Sequence, residues 1–175
     1  MARDSAGFDG PPAMSDFADS WLGQLRAVIG NHIVLMPGTR IVIERADGRI
    51  LLDHRADFRT WALVGGAAEV GESLEETIRR EVTEETGMVL QSVTPFGVAS
   101  DPKWETTTFP NGDVMQNFSL MFTSTAFSGE PRPMDGESIG YQWADPHHLP
   151  EMVPNHRRSV EAWLRWKQTG EFQLI

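Results

Sequence analysis

The chain has 175 residues, 40% of them hydrophobic and 23% charged, with a formal net charge of −10. This length fits one globular domain with a sizeable core, and no window approaches the ~18 consecutive apolar residues of a membrane helix. The absence of cysteine excludes disulfides, thiolate metal sites and cysteine nucleophiles. The acidic balance disfavours nucleic acid as a partner, because its phosphates would meet a repulsive field.

The N-terminal region changes character after its first residues. Residues 1–13 combine Gly, Pro, Ser and Asp, which predicts a disordered tail. This stretch lacks the apolar segment of a secretory signal, so we expect a cytoplasmic protein that does not engage membranes. Residues 14–175 are predicted to form a single domain. Within it, apolar residues at helical spacing indicate a helix over 16–29, ended by Gly30.

Extended segments dominate the middle of the chain. Strands are expected at His32–Met36 and Arg40–Glu44, on either side of a Pro37-Gly38 turn, and residues 40–54 are typical of a β-hairpin. Further extended or apolar runs are Trp61–Val64, Val89–Ala99, Gln116–Phe127 and Ser138–Trp143, with a long loop at 100–115 and a final helix at 155–168. The order of these elements predicts a mixed α/β domain.

One acidic segment, residues 66–88, carries half of the net charge. It contains seven glutamates and two arginines, which gives −5. Ser73 and Glu76 form an S-x-x-E capping box that begins a helix, and Gly87 provides the left-handed residue that ends it. A glutamate-rich helix is most often a solvated surface. Only the spacing of its acids can indicate that they form a binding site.

The acids of this helix gather on one side. At 100° per residue, Glu81 and Glu85 lie within about 40° of each other, and Glu84 lies about 60° away. Like charges at this spacing destabilise a helix, whereas hard oxygen ligands grouped in this way suit Mg²⁺ or Mn²⁺. The preceding Gly65-Gly66 lets backbone approach a ligand closely. The pattern therefore predicts a divalent-metal site that would let an acidic protein bind phosphate.

The same segment resembles the signature of the Nudix hydrolases, G-x5-E-x7-R-E-U-x-E-E-x-G-U, where U is an aliphatic residue. Every fixed position matches: Gly66, Glu72, Arg80, Glu81, Val82, Glu84, Glu85, Gly87 and Met88. We call residues 66–88 the Nudix box. The resemblance implies an α/β/α sandwich with a central mixed β-sheet, in which the box forms a loop-helix-loop.

The resemblance also implies roles for individual residues. Metal ligands would be Glu81, Glu84, Glu85 and the Gly65 carbonyl, and Glu72 would assist through water or by bonding Arg80. The reaction would be attack of water on a pyrophosphate linkage. The general base is either Glu84 or an acid from a distant loop, for which Glu137 is the candidate. The resemblance further suggests a homodimer, with the helix at 16–29 as a candidate interface.

Residues outside the box would choose the substrate. Arg55 ends a strand and is a candidate phosphate ligand. The candidates for stacking on a base are Trp104, Phe109 and Trp61, although Trp61 is the one expected in the core. Asp113 and Gln116 belong to a P-N-G-D-x-x-Q segment similar to one in bacterial Nudix proteins described as ADP-ribose pyrophosphatase-like. The alternative for this segment is a tight turn at Asn111-Gly112 between two strands.

Two classes of function remain open. The favoured one is a small-molecule pyrophosphohydrolase that cleaves a nucleoside diphosphate joined to another group, such as ADP-ribose or a nucleotide sugar. Within that class, the alternative substrate is a (d)NTP or an oxidised nucleotide. The second class is a non-catalytic module that senses nucleotides, which the complete set of box glutamates disfavours.

Overall fold

The computed structural model describes residues 21–109, 111–134 and 136–175. The predicted tail at 1–13 and the start of the predicted helix at 16–29 lie outside these residues. The chain divides into two compact units, residues 1–30 and 31–175. In the first unit, α1 (Trp21–Ile29) ends where Gly30, with φ of 60°, donates its N–H to the Arg26 carbonyl at 2.8 Å.

The second unit contains ten strands and three helices among its described residues. The strands are β1 (Val34–Ile43), β2 (Ile50–Arg55), β3 (Trp61–Ala62), β4 (Val89–Leu90), β5 (Thr94–Ala99), β6 (Thr106–Thr108), β7 (Val114–Ser124), β8 (Phe127–Ser128), β9 (Ser138–Ala144) and β10 (Gln173–Leu174). The helices are α2 (Leu74–Thr86), α3 (Pro102–Glu105) and α4 (Pro154–Thr169). Among the described residues, no helix is both long and apolar enough to span a bilayer.

The largest sheet is mixed and centres on β7. Its order is β1-β7-β5-β10, and β6 pairs with the beginning of β7. The β1–β7 and β5–β10 pairs are parallel, whereas β5 and β6 run antiparallel to β7. A second sheet has the order β3-β2-β9 with antiparallel pairing, and β4 pairs with β8. The predicted mixed α/β class is confirmed.

The predicted turn at Pro37-Gly38 is wrong, because β1 runs through both residues without a break. Pro37 pairs with Phe118 and Gly38 with Ser119 of β7. The glycine is needed for close packing: a Cβ at Gly38 would lie only 2.8 Å from the Gly66 carbonyl oxygen. The Pro-Gly pair therefore marks the approach of another backbone segment.

The hairpin predicted at 40–54 is present only at its turn. Gly48 donates its N–H to Arg45 O at 2.9 Å, and one antiparallel bridge joins Glu44 to Ile50. Beyond that bridge, β1 and β2 enter different sheets.

The long loop predicted at 100–115 is also wrong, since most of it is ordered as α3, β6 and the start of β7. Asp101 caps α3 by accepting the Lys103 N–H at 3.0 Å. At the following hairpin, Gly112 donates to Phe109 O and Phe109 donates to Asp113 O, which closes a three-residue loop. The extended run predicted at Val89–Ala99 is divided between β4 and β5.

Two helices pack on the sheets, and each contributes to a different apolar cluster. Ile41 and Ile43 of β1 belong to the cluster that includes Ile78 and Val82 of α2. The intervening Val42 belongs to the cluster that includes Val160, Ala162 and Trp163 of α4. Successive residues of a strand face opposite sides, so β1 lies between the two helices. This arrangement is the expected α/β/α sandwich.

A buried ion pair joins four elements on the α4 side. Arg40 Nη2 lies 2.6 Å from Glu105 Oε2, and both residues are at least 97% buried. The same guanidinium donates to the hydroxyls of Ser119 and Ser159 at 3.1 Å. Strand β1 is thus tied to α3, β7 and α4 at one point.

Candidate active site

Glycines let two backbone segments and the Glu81 side chain meet at the entrance to the Nudix box. The Thr39 N–H donates to Gly66 O at 2.9 Å, and Gly65 has φ of 151°, which side chains rarely adopt. A Cβ at Gly65 would collide with the Thr39 carbonyl and the Arg40 Cα, and one at Gly66 would collide with the Glu81 carboxylate. Substitution at either glycine would displace the box loop.

The helix of the box is capped at both ends as the sequence predicts. Ser73 Oγ accepts the Glu76 N–H at 3.2 Å, and Glu76 Oε2 accepts the Ser73 N–H at 2.8 Å. Gly87, with φ of 72°, ends the helix by donating to Thr83 O. These caps fix which side chains of α2 face the sheets.

Arg80 lies at the centre of the carboxylates. Its Nε and Nη2 bind the two oxygens of Glu72 at 2.6 and 3.1 Å. Its Nη1 donates to Glu81 and Glu84, both at 2.9 Å, and Nη2 also donates to Ala67 O at 3.1 Å. Of the two roles considered for Glu72, the structure shows bonding to Arg80. One guanidinium therefore links the box loop to three acids.

The three candidate metal-binding glutamates differ in exposure. Glu84 is exposed, Glu81 is half-buried, and Glu85 is buried with 4% of its surface accessible. Burial raises the pKa of Glu81 to about 7; the charges of Glu84 and Glu137 act in the same direction, against Arg80. An additional positive charge here would stabilise the ionised form of Glu81.

These residues carry suitable ligand atoms for a divalent cation, but their side chains do not converge on one point as metal ligands would. Among the described residues, no three Asp, Glu or His side chains are grouped in a metal-binding arrangement. Arg80 attracts one oxygen each of Glu81 and Glu84. The donors are hard oxygens, which Mg²⁺ and Mn²⁺ prefer, and a bound cation would oppose the burial that raises the pKa of Glu81.

Two residues predicted outside the box, Arg55 and Glu137, lie beside this cluster. The Ala56 N–H donates to Glu137 O at 2.8 Å, and the Glu137 charge acts on Glu81. Burial lowers the pKa of Arg55, but its hydrogen bonds to Asp57 and the nearby charges of Glu85 and Asp53 raise it above the usual value overall. Asp135, the other acid of the Glu137 loop, lies outside the described residues.

The other predicted substrate residues lie on different elements. Trp104 is in α3, with the Arg158 guanidinium 4.7 Å and the Lys103 ammonium 5.0 Å from its ring centroid. Asp113 closes the hairpin loop by accepting from Asn111 Nδ2 at 2.9 Å, as the turn alternative predicts for this segment. Gln116 lies in β7, half-buried between Leu35 and Thr106.

Two residues beside the site escaped the sequence interpretation. The Tyr141 hydroxyl donates to Glu85 O at 2.8 Å and contacts Ser138 Oγ at 2.9 Å, which links α2 to β9. Phe58 contacts Phe109 across two loops. Neither residue belongs to a motif, and only the fold brings each to its partner.

Comparison with known proteins identifies the family. The model for the NUDIX domain matches residues 34–164. The chain is 33% identical over 129 residues to the ADP-ribose pyrophosphatase of Methanocaldococcus jannaschii, covering 72% of this chain and 71% of that protein. It is also 33% identical over 110 residues to the nucleoside triphosphatase NudI of Escherichia coli, covering 59% and 77%.

A solved structure agrees with these relatives. The crystal structure of the MutT NUDIX hydrolase from Burkholderia pseudomallei matches with a TM-score of 0.62 and 29% identity, covering 74% of this chain and 98% of that one. The family match includes the whole box, strands β1 to β9 and most of α4. The chain belongs to the Nudix family of hydrolases, enzymes that act on small nucleotide substrates and generally need a divalent metal.

Proposed function

We propose that the protein is a Mg²⁺- or Mn²⁺-dependent pyrophosphohydrolase that cleaves the diphosphate of a nucleoside diphosphate joined to a second group, of the ADP-ribose or nucleotide-sugar type. The carrying observation is the cluster of Glu72, Glu81 and Glu84 around Arg80, next to Arg55. The Methanocaldococcus relative, named for ADP-ribose, supports the substrate class.

In the proposed reaction, residues of this chain bind the cation, position the carboxylates and accept a proton. Glu81, Glu84, Glu85 and the Gly65 carbonyl would hold the cation, which would neutralise diphosphate oxygens and make water more acidic. Arg80 keeps the glutamates in place through its fixed fork of donors. Water adds to one phosphorus, the bond to the bridging oxygen breaks, and a carboxylate accepts the proton of the water.

Either of two acids can take that proton. Glu84 lies within the cluster, and the Glu137 charge acts on Glu81 from the neighbouring loop. A Glu137→Gln variant would decide between them: loss of the acidic limb of the kcat profile assigns the base to Glu137, and its retention assigns it to Glu84.

Arg55 is the proposed phosphate ligand of the substrate. Its Nε and Nη2 bind the carboxylate of Asp57 at 2.9 and 2.8 Å. Its third nitrogen, Nη1, donates to none of the residues that the structure describes, so it can meet a phosphate oxygen. Trp104, Asp113 and Gln116 stay as predicted substrate contacts, and the homodimer stays a prediction.

A nucleoside triphosphate is the second candidate substrate. NudI is named as a nucleoside triphosphatase, and a Bacillus subtilis strain 168 protein, 32% identical over 124 residues, is named as a candidate 8-oxo-dGTP diphosphatase. Product release from ADP-ribose, nucleotide sugars and (d)NTPs should be measured with Mg²⁺ and with Mn²⁺. We expect the highest kcat/KM on a linked diphosphate, and a preference for a triphosphate would reverse the assignment.

A matched pair of variants tests the role of the cluster. Glu84 and Glu75 lie on the same helix with similar side-chain exposure, 54% and 58%, but Glu75 pairs with Arg79 instead of Arg80. Glu84→Gln should lower kcat by about 100-fold or more and reduce the rise in melting temperature that Mg²⁺ produces. Glu75→Gln should change neither quantity. Equal effects of the two substitutions would refute the metal-site assignment.

A further inference from the structure

Two phenylalanine rings from separate loops meet near the candidate active site. Phe58 lies in the loop between β2 and β3, and Phe109 lies in the hairpin between β6 and β7. Their ring centroids are 5.8 Å apart, with an angle of 46° between the planes. We propose that these two side chains form a clamp for the nucleobase of the substrate. The inference rests on the proposed function only in taking the substrate to be a nucleotide.

The loop that carries Phe58 begins beside Glu137. Its first residue, Ala56, donates its N–H to Glu137 O at 2.8 Å. Arg55, immediately before, carries a guanidinium close enough to Glu85 to have its pKa raised by that charge. The loop closes where the Arg55 N–H donates to Thr60 O at 3.1 Å. Phe58 is thus three residues from the proposed phosphate ligand, a short span of the chain within one closed loop.

One carboxylate connects the phosphate ligand to the ring. Asp57 Oδ1 accepts from Arg55 Nε at 2.9 Å and from the Phe58 N–H at 2.8 Å. The next residue, Arg59, has φ of 50°, a left-handed conformation uncommon for a side chain other than glycine. These constraints hold the loop in one shape, so a base bound at Phe58 and a phosphate bound at Arg55 are held in a fixed relation.

The clamp leaves room for a base with a small movement. Phe58 is 36% exposed, so one part of its surface already faces solvent. A base between the rings would need roughly 7 Å between their planes, two layers at van der Waals distance. The rings would therefore separate by about 1 Å and rotate to close the 46° angle between their planes, movements that two surface loops can accommodate. Stacking uses the π-face that every base has, so the clamp would recognise a base without fixing its identity.

Two small ligands separate base recognition from phosphate recognition. AMP carries a base and ribose 5-phosphate does not, while both offer a 5′-phosphate to Arg55. Dissociation constants should be measured by calorimetric titration for the full chain. We expect wild-type protein to bind AMP about tenfold more tightly than ribose 5-phosphate. Phe58→Leu should remove that advantage and leave the affinity for ribose 5-phosphate unchanged, and Phe58→Trp should restore it.

Control variants keep the test decisive. Phe172→Leu, at an exposed phenylalanine near the C-terminus, should retain the tenfold advantage. Phe109→Leu should behave as Phe58→Leu does, and it serves if the latter fails to fold by circular dichroism. The clamp is overturned if AMP and ribose 5-phosphate bind wild type equally, or if Phe58→Leu matches Phe172→Leu. Base-dependent binding without hydrolysis of any substrate would support the clamp while refuting the proposed function.

Discussion

Arg79 and Arg80 are adjacent arginines with different surroundings. Arg79 pairs with Glu75 across one helical turn and donates to Leu90 O at 2.6 Å. Arg80 turns toward the box loop, where it donates to both carboxylate oxygens of Glu72 and bridges Glu81 to Glu84. The hydrogen bond from Arg80, the largest effect, lowers the pKa of Glu72, although burial opposes it. The position of Arg80 therefore decides where the acids point.

Arg80→Lys should lower kcat by about 10- to 100-fold, because a lysine cannot reproduce the fork that binds Glu72 and its neighbours at once. Arg79→Lys is the matched control and should leave kcat close to wild type. Both constants, kcat and KM, should be measured on the best substrate from the release assay. Similar losses in the two variants would mean that Arg80 contributes only helix-surface charge.

The sequence identifies residues of this site where their spacing is fixed within one local segment. The box contains Glu72, Arg80, Glu81 and Glu84, so a sequence motif is enough to group them. The Tyr141 hydroxyl donates to the carbonyl of Glu85, which lies 56 positions away in the sequence. No local sequence pattern predicts that contact. Glu137 is predicted only because the resemblance implies an acid from a distant loop.

At the scale of elements, α2 depends on its N-terminal cap. The Ser73 hydroxyl and N–H both bond the Glu76 carboxylate, and these bonds lower the pKa of Glu76. Because the folded pKa lies below the unfolded value of 4.5, the stabilisation is present at neutral pH. It is lost as the pH falls through the folded pKa and the carboxylate takes up a proton.

Ser73→Ala should lower the free energy of unfolding by about 1 kcal/mol at pH 7, since one side-chain cap is lost. For a chain of this size that corresponds to a fall of about 2–4 °C in melting temperature. The difference from wild type should shrink below about pH 4, as thermal melts across pH would show. Ser92→Ala, at an exposed loop serine, should change little; a constant difference at all pH values would contradict the role of Glu76.

Elements defined by local signals were predicted well, and elements defined by distant partners were not. The caps of α2, strand β9 and helix α4 follow from capping residues, alternation and Pro154. The Pro37-Gly38 turn and the 100–115 loop were wrong because β7, far along the chain, pairs with both β1 and β6. Strand β10 has two residues, too few for any pattern.

At the scale of the whole molecule, His156 of α4 holds the strand that leads to the box. The Leu63 N–H donates to His156 Nδ1 at 3.0 Å, which requires that nitrogen to be unprotonated. Burial, together with the charges of Arg40 and Arg55, lowers the pKa of His156 well below 6.5. The unfolded chain therefore binds a proton below that pH which the folded chain does not.

The contribution of His156 to the free energy of unfolding should decline as the pH falls below about 6.5, by up to about 1.4 kcal/mol per unit. Glu81, whose pKa is raised to about 7, contributes a slope of the opposite sign. His156→Gln removes the titrating group, so in urea melts between pH 7.5 and 5 the stability of wild type relative to this variant should decline as the pH falls. His147→Gln, at an exposed position, should keep the wild-type slope. A slope unchanged by His156→Gln would assign the pH dependence to other groups.

The buried ion pair of Arg40 and Glu105 affects how the protein folds and unfolds. The side chains that bind Arg40 lie 65 to 119 positions away from it in the sequence. The intervening chain must therefore form closed loops before these contacts can form. If α3 came away alone, Arg40 would remain buried without its counter-ion, which is strongly unfavourable. If α4 came away alone, the guanidinium would lose its hydrogen bond to Ser159. These helices and β1 should therefore open as one cooperative unit, and their slowest amide protons should exchange with deuterium at a common rate.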